Sequence, residues 1–161
     1  SGTNINEEMS HILTQCRYLT NRRLKYPLLI RHTTTKKSHC TDPATRLSIG
    51  ALKHLESIKI NPKYRKKIAG KKITILDDYI TNGCSFEAVR NLLISADASK
   101  VNFIAIGRFT SHAYNGLGTY QKEDYSLTGD LFSNNYTASL SNRESNYGLH
   151  GQYNDLSLIH I

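Results

Sequence analysis

One stretch constrains this chain more than any other: Lys71 to Arg90, KKITILDDYITNGCSFEAVR. Ile73-Thr74-Ile75-Leu76 is a short β-branched, apolar run that follows a basic linker containing Gly70, while Phe86, Val89, Leu92 or Leu93, and Ala96 recur at helical spacing. The order is therefore strand, loop, helix. Between the two elements stand adjacent carboxylates, Asp77 and Asp78, and then Thr81, Asn82, Gly83, Cys84 and Ser85, which are small, hydroxylated or tolerant of unusual backbone angles. A loop of this composition ahead of a helix presents backbone N–H groups and hydroxyls to an anion, and the helix dipole adds to the attraction. Carboxylates cannot hold a phosphate, so the acids are expected to face sugar hydroxyls or a divalent cation. The combination implies a seat for a phosphorylated sugar. The plainer alternative is an acidic strand end followed by an ordinary turn and helix cap.

The segment resembles the 5-phosphoribosyl-1-pyrophosphate (PRPP) loop of type I phosphoribosyltransferases, which reads apolar strand, two acids, two variable residues, then Thr-x-Gly-x-Thr/Ser. The resemblance implies that Asp77 and Asp78 bind the ribose hydroxyls, and through them Mg²⁺, and that Thr81, Asn82, Gly83, Cys84 and Ser85 wrap the 5′-phosphate. It places Tyr79 near the acceptor base. Purine-salvage members carry Asp where Thr81 stands, so Thr81 points away from them and toward orotate-type or ComF-type members. Asn82 and Cys84 depart from the residues common in the family.

Upstream, Pro27 opens a buried-type strand, Leu28-Leu29-Ile30, ending at Arg31 and His32. Thr33 to Thr41 has no apolar periodicity and is expected to be a mobile basic loop. Asp42-Pro43 is a helix start, with Leu47, Ala51, Leu55 and Ile58 continuing its inner face. The order Arg31, basic loop, Arg46 is similar to the ComF-type branch of the family. The resemblance implies that Lys36, Lys37 and Arg46, with His39, hold the departing pyrophosphate, although the family's Gln and its Asn after the second Arg are not matched. Asn4 or Asn6 can cap a first helix with Glu7 and Glu8 in its first turn and Met9, Ile12, Leu13, Cys16 and Leu19 as its apolar stripe. Gly2-Thr3-Asn4 resembles the end of the family's pyrophosphate loop. On that alignment the preceding strand lies N-terminal to Ser1, and a homodimer partner or second chain is expected to complete the pyrophosphate site.

Downstream, Val101 to Ile106 reads as a second parallel-type strand, so strand, helix and strand form a right-handed crossover with the loop at the carboxyl edge of the sheet. The expected fold is thus α/β, a parallel sheet with flanking helices, phosphoribosyltransferase-like over residues 1–109. Residues 110–161 form a Tyr-, Asn- and Ser-rich extension that packs on it, its tyrosines mostly half-buried packing residues.

With 161 residues, no run of about 18 apolar residues and no signal-peptide pattern, the chain is expected to be a cytoplasmic protein without a membrane partner. Cys16, Cys40 and Cys84 are too scattered for a zinc site and are expected to be reduced. The formal charge of +8 is concentrated in Lys59, Lys63, Arg65, Lys66, Lys67, Lys71 and Lys72, a run without an acid. Such a run neutralises nucleic-acid phosphates, steers a polyanionic substrate, or is a solvated connector. Two function classes therefore stand side by side. One is a phosphoribosyltransferase acting on PRPP, or a binder of a nucleotide, with Mg²⁺ as cofactor. The other is a non-catalytic protein that grips single-stranded DNA or RNA.

Overall fold

A computed structural model describes residues 7–19, 26–33, 48–108 and 120–145. In chain order the elements are α1 (Glu7–Leu19), β1 (Leu29–Arg31), α2 (Leu52–Leu55), β2 (Ile58–Ile60), β3 (Lys72–Ile80), α3 (Cys84–Ile94), β4 (Lys100–Arg108), β5 (Gln121–Asp130) and β6 (Asn135–Ser145). The class is α/β. Among the described residues the strands form three two-stranded sheets rather than one parallel sheet. Only β3 and β4 are parallel, joined through α3, with Ile73 beside Val101 and Ile75 beside Phe103. That face of the pair is closed by α3, where Phe86 stacks on Phe103 at 4.6 Å between ring centroids.

Ile58 is not on a helix. Gly50, at φ +62, breaks the helical path, α2 ends at Leu55, and Ile58 opens β2, which pairs antiparallel with β1. The Asp42-Pro43 helix start, Lys36, Lys37, His39, Arg46 and Gly2 to Asn4 lie outside the described residues. So does Leu47. α1 forms where the capping residues and apolar spacing place it and lies against β3, but Ile12 and Cys16 of its stripe are exposed.

The C-terminal region contributes a hairpin. Asp130 opens its turn, accepting the Phe132 N–H on its side chain at 3.1 Å and the Ser133 N–H on its carbonyl at 3.0 Å. The hairpin docks on both neighbours. Its turn carbonyl Leu131 O accepts the Ile60 N–H at 3.0 Å, and the Tyr136 hydroxyl donates to the carbonyls of Leu55 and Ile58. The core is consequently shared by α2, β2, α3 and the hairpin: Ala51, Leu55, Ile60, Ile68, Leu92, Leu93, Tyr125 and Leu131 are all buried in it.

Candidate functional site at the carboxyl end of β3

β3 runs on through both acids to Ile80, four residues past the apolar run Ile73 to Leu76. Parallel pairing with β4 carries it there, with Asp77 beside Ala105 and Tyr79 beside Gly107. Strand positions alternate, with Asp77 in the row of Ile75 on the α3 side and Asp78 in the row of Leu76, yet the two carboxylates stay close enough for Asp78 to act on Asp77 through its charge and a side-chain hydrogen bond. Each carboxylate accepts the next backbone N–H, Asp77 from Asp78 at 3.0 Å and Asp78 from Tyr79 at 2.7 Å. Burial, opposed by that backbone hydrogen bond and reinforced by the neighbouring Asp78, raises the Asp77 carboxyl above the usual range for an aspartate.

The turn that follows is short. Thr81, Asn82 and Gly83 reverse the chain, Gly83 at φ +79, and α3 begins at Cys84. Glycine is required twice over at this position, by the left-handed backbone and because the Tyr120 ring occupies the space a Cβ would need. The Gln121 N–H donates to Asn82 O at 3.0 Å, so the start of β5 is fastened to the turn. Cys84 and Ser85 are half-buried, and burial, with Glu123 adding to it, pushes the Cys84 thiol up to about 11. A neutral thiol at the head of the helix adds no negative charge to the dipole, whose first turn already carries Glu87. Tyr79 is 53% exposed, its ring lying over Gly107, a cross-strand pairing that shields the bare glycine backbone.

One turn further along α3 is a buried ionic network that hydrophobic patterning gives no reason to expect. Glu87 is 2% exposed and Glu123, on β5, is 0% exposed. Glu87 Oε1 accepts the Tyr120 hydroxyl at 2.5 Å, and Oε2 accepts Arg90 Nη2 at 2.7 Å and the Glu123 backbone N–H at 3.1 Å. Arg90 also donates to Asp124 at 2.6 Å and to the Glu123 carbonyl at 2.7 Å, which holds the Asp124 carboxyl below the usual range. Glu123 Oε2 accepts the Ala51 N–H at 2.7 Å and the Tyr125 hydroxyl at 2.9 Å. Its Oε1 has Arg143 Nε at 3.0 Å as an ionic neighbour but no hydrogen bond along its lone pairs. Gly50 is the other half of this arrangement, because a methyl there would run into the Glu123 carboxylate.

Of the residues expected at the site, Asp77, Asp78, Tyr79, Thr81, Asn82, Gly83, Cys84 and Ser85 fall on one strand end, turn and helix start. Lys36, Lys37 and Arg46 lie outside the described residues. Tyr120 and Glu87 are the additions. The helical stripe Glu87, Arg90, Asn91 was the available signal, since α3 is apolar on its remaining faces and so must bury its polar one as well. Tyr120, Tyr125 and Tyr136 all spend their hydroxyls inside the fold. Among the described residues no group of three or more His, Cys, Asp or Glu side chains is disposed to hold a metal ion, and no helix is long and apolar enough to cross a membrane.

Comparison with protein-family models, curated proteins and solved structures gives no significant match.

Proposed function

We propose that this chain binds a 5-phosphorylated ribose, as PRPP or a nucleoside monophosphate, at the carboxyl end of β3, on a phosphoribosyltransferase-like domain working in the cytoplasm. The observation that carries the reading is one juxtaposition: Asp77 in the last four residues of a parallel strand, a left-handed Gly83 turn and the first N–H groups of α3 follow each other within eight residues. Ligands of parallel α/β folds sit at that edge. The N–H groups of the first helical turn, with the Ser85 and Thr81 hydroxyls, suit a phosphate. A carboxylate just before them suits vicinal hydroxyls.

If the chain is an enzyme, the reaction is phosphoribosyl transfer. The bond from the ribose anomeric carbon to pyrophosphate breaks, a bond to a nitrogen nucleophile forms, pyrophosphate leaves with the electron pair, and the nucleophile gives up its proton. Asp77 fixes the ribose, the turn fixes the phosphate, and Lys36, Lys37 and Arg46 neutralise the leaving group; the chemistry is positioning and charge compensation. Mg²⁺, which prefers one or two carboxylates and substrate oxygens to an all-protein cage, would be held by Asp77 and Asp78 together with oxygens of the ligand.

Titration of isotope-labelled chain with ribose 5-phosphate, followed by amide NMR, tests the location. The amides of Asn82 to Phe86 are expected to shift first and furthest. Saturable shifts confined to other segments would refute the site.

A further inference from the structure

The basic run does not form one stripe. Lys63 Nζ sits 3.4 Å over the Tyr26 ring, and Arg65 is spoken for by Asp130 at 2.7 Å and by the face of Phe132 at 4.4 Å. The remaining lysines converge elsewhere. Two tight turns, closed by Lys67 N–H to Tyr64 O at 2.8 Å and Lys71 N–H to Ile68 O at 2.9 Å, bring the chain to the amino end of β3. There the Lys71 carbonyl accepts the Ser99 N–H at 2.9 Å, which ties the start of β4 alongside, and Lys72 stands in register with Lys100 on the neighbouring strand. Lys66, Lys67, Lys71, Lys72 and Lys100 are all exposed, and among the described residues none of them makes an ion pair. One exposed acid, Asp97, borders them.

Like charges directly opposite on adjacent strands, about 4.8 Å apart, destabilise a sheet. The Lys72–Lys100 pair is therefore a cost to the fold with no compensation among the described residues. Nor does it serve the ribose phosphate site. The eight steps from Lys72 to Ile80 separate the two ends of β3 by about 26 Å at about 3.3 Å per residue, well beyond a screening length of about 8 Å.

We propose that the amino end of the β3–β4 pair is a binding surface for the phosphate backbone of single-stranded nucleic acid. A cluster of exposed ammonium groups with one acid nearby suits the phosphates of a nucleic-acid strand. The run's other two cations, Lys63 and Arg65, each lie on an aromatic ring, and aromatic rings among basic residues accommodate unpaired, flexible strands.

The test is fluorescence anisotropy with a labelled twenty-residue oligothymidylate between 50 and 200 mM NaCl, using the parent chain and the quadruple variant Lys66→Ala, Lys71→Ala, Lys72→Ala, Lys100→Ala. Each lost contact removes about 0.7 from the slope of log affinity against log salt, so the variant is expected to flatten it by up to about 3 and to bind at least tenfold more weakly at 50 mM. The same four positions changed to Arg should retain binding. Removal of the like-charge pair leaves the melting temperature equal or higher, which separates lost contact from lost fold. Asp77→Asn should leave oligonucleotide affinity unchanged, so this surface and the ribose phosphate site stand or fall separately. An unaltered slope in the Ala variant overturns the proposal. So does tighter binding of duplex of the same length, or equal competition by polyglutamate, which would make the partner an acidic protein.

Discussion

Replacing Asn91 with Ala tests whether the hairpin is held to α3 by polar pairing rather than by apolar contact alone. The buried carboxamide of Asn91 behaves as an extra peptide group on the free edge of β5. Its Nδ2 donates to Glu123 O at 2.7 Å and to Glu87 O at 2.8 Å, and its Oδ1 accepts the Tyr125 N–H at 2.8 Å. Truncation leaves Glu123 O with Arg90 as a second donor, but strands the Tyr125 N–H. An unmet buried donor costs about 1–3 kcal/mol, and the lost side-chain volume adds roughly 1 kcal/mol. The expected loss is about 3 kcal/mol, which for a chain of this length lowers the melting temperature by roughly 6–12 °C. Asn91→Asp should cost at least as much, because it sets a carboxylate oxygen against two carbonyls and beside Glu87 and Glu123. The assay is urea unfolding followed by circular dichroism, with half-exposed Asn102→Ala as the reference. A change within about 0.5 kcal/mol for Asn91→Ala would show that the pairing contributes nothing and refute the reasoning.

Two further perturbations read other parts of the fold. Burial, with Arg31 and Lys53 close by, lowers the His54 imidazole from 6.5 to about 4. Because the unfolded chain then binds the proton first, stability is full above pH about 6.5 and falls by up to about 3 kcal/mol as pH drops toward about 4. His54→Gln should remove that part of the acid slope, and parallel pH profiles of the two proteins would argue against it. Gly50→Ala and Gly70→Ala share a strained left-handed backbone, φ +62 and φ +70, but only the first meets an obstacle, the Glu123 carboxylate. Gly70→Ala is expected to cost about 1 kcal/mol, and Gly50→Ala clearly more; equal losses in urea unfolding would mean that Glu123 does not need that space.

What was legible in the sequence was whatever followed apolar spacing. Ile73 to Leu76 and Val101 to Ile106 were readable as a parallel pair, and Phe86 to Ala96 as the helix between them, because each buries an apolar face. The boundaries moved where polar residues sit inside elements. Asp77 and Asp78 read as loop but extend β3, since pairing with β4 outweighs their low strand propensity. Ile58 read as helix because it kept the spacing set by Leu55 and Ala51, but α2 ends at Leu55 and Ile58 pairs with Arg31 of β1 instead. The hairpin was the least visible element. The residues that β5 turns toward α3 are Gln121, Glu123 and Tyr125, all buried, so its inward face carries no hydrophobic alternation and depends on partners more than thirty residues away. The residues of the candidate site follow one another in the sequence, while the extension of β3 through both acids to Ile80 required the strand to be seen.

The central claim is tested most directly by calorimetric titration of Mg²⁺ and PRPP into the parent chain and into Asp77→Asn, both verified as folded. The account predicts saturable binding by the parent and, from the loss of charge-assisted hydrogen bonds worth about 1.5–3 kcal/mol, a roughly 10- to 150-fold weaker affinity in the variant. Asp78→Asn, whose carboxylate neighbours that of Asp77, should also weaken binding. Equal affinity of Asp77→Asn and parent, or a folded parent that binds neither PRPP nor ribose 5-phosphate, would contradict it.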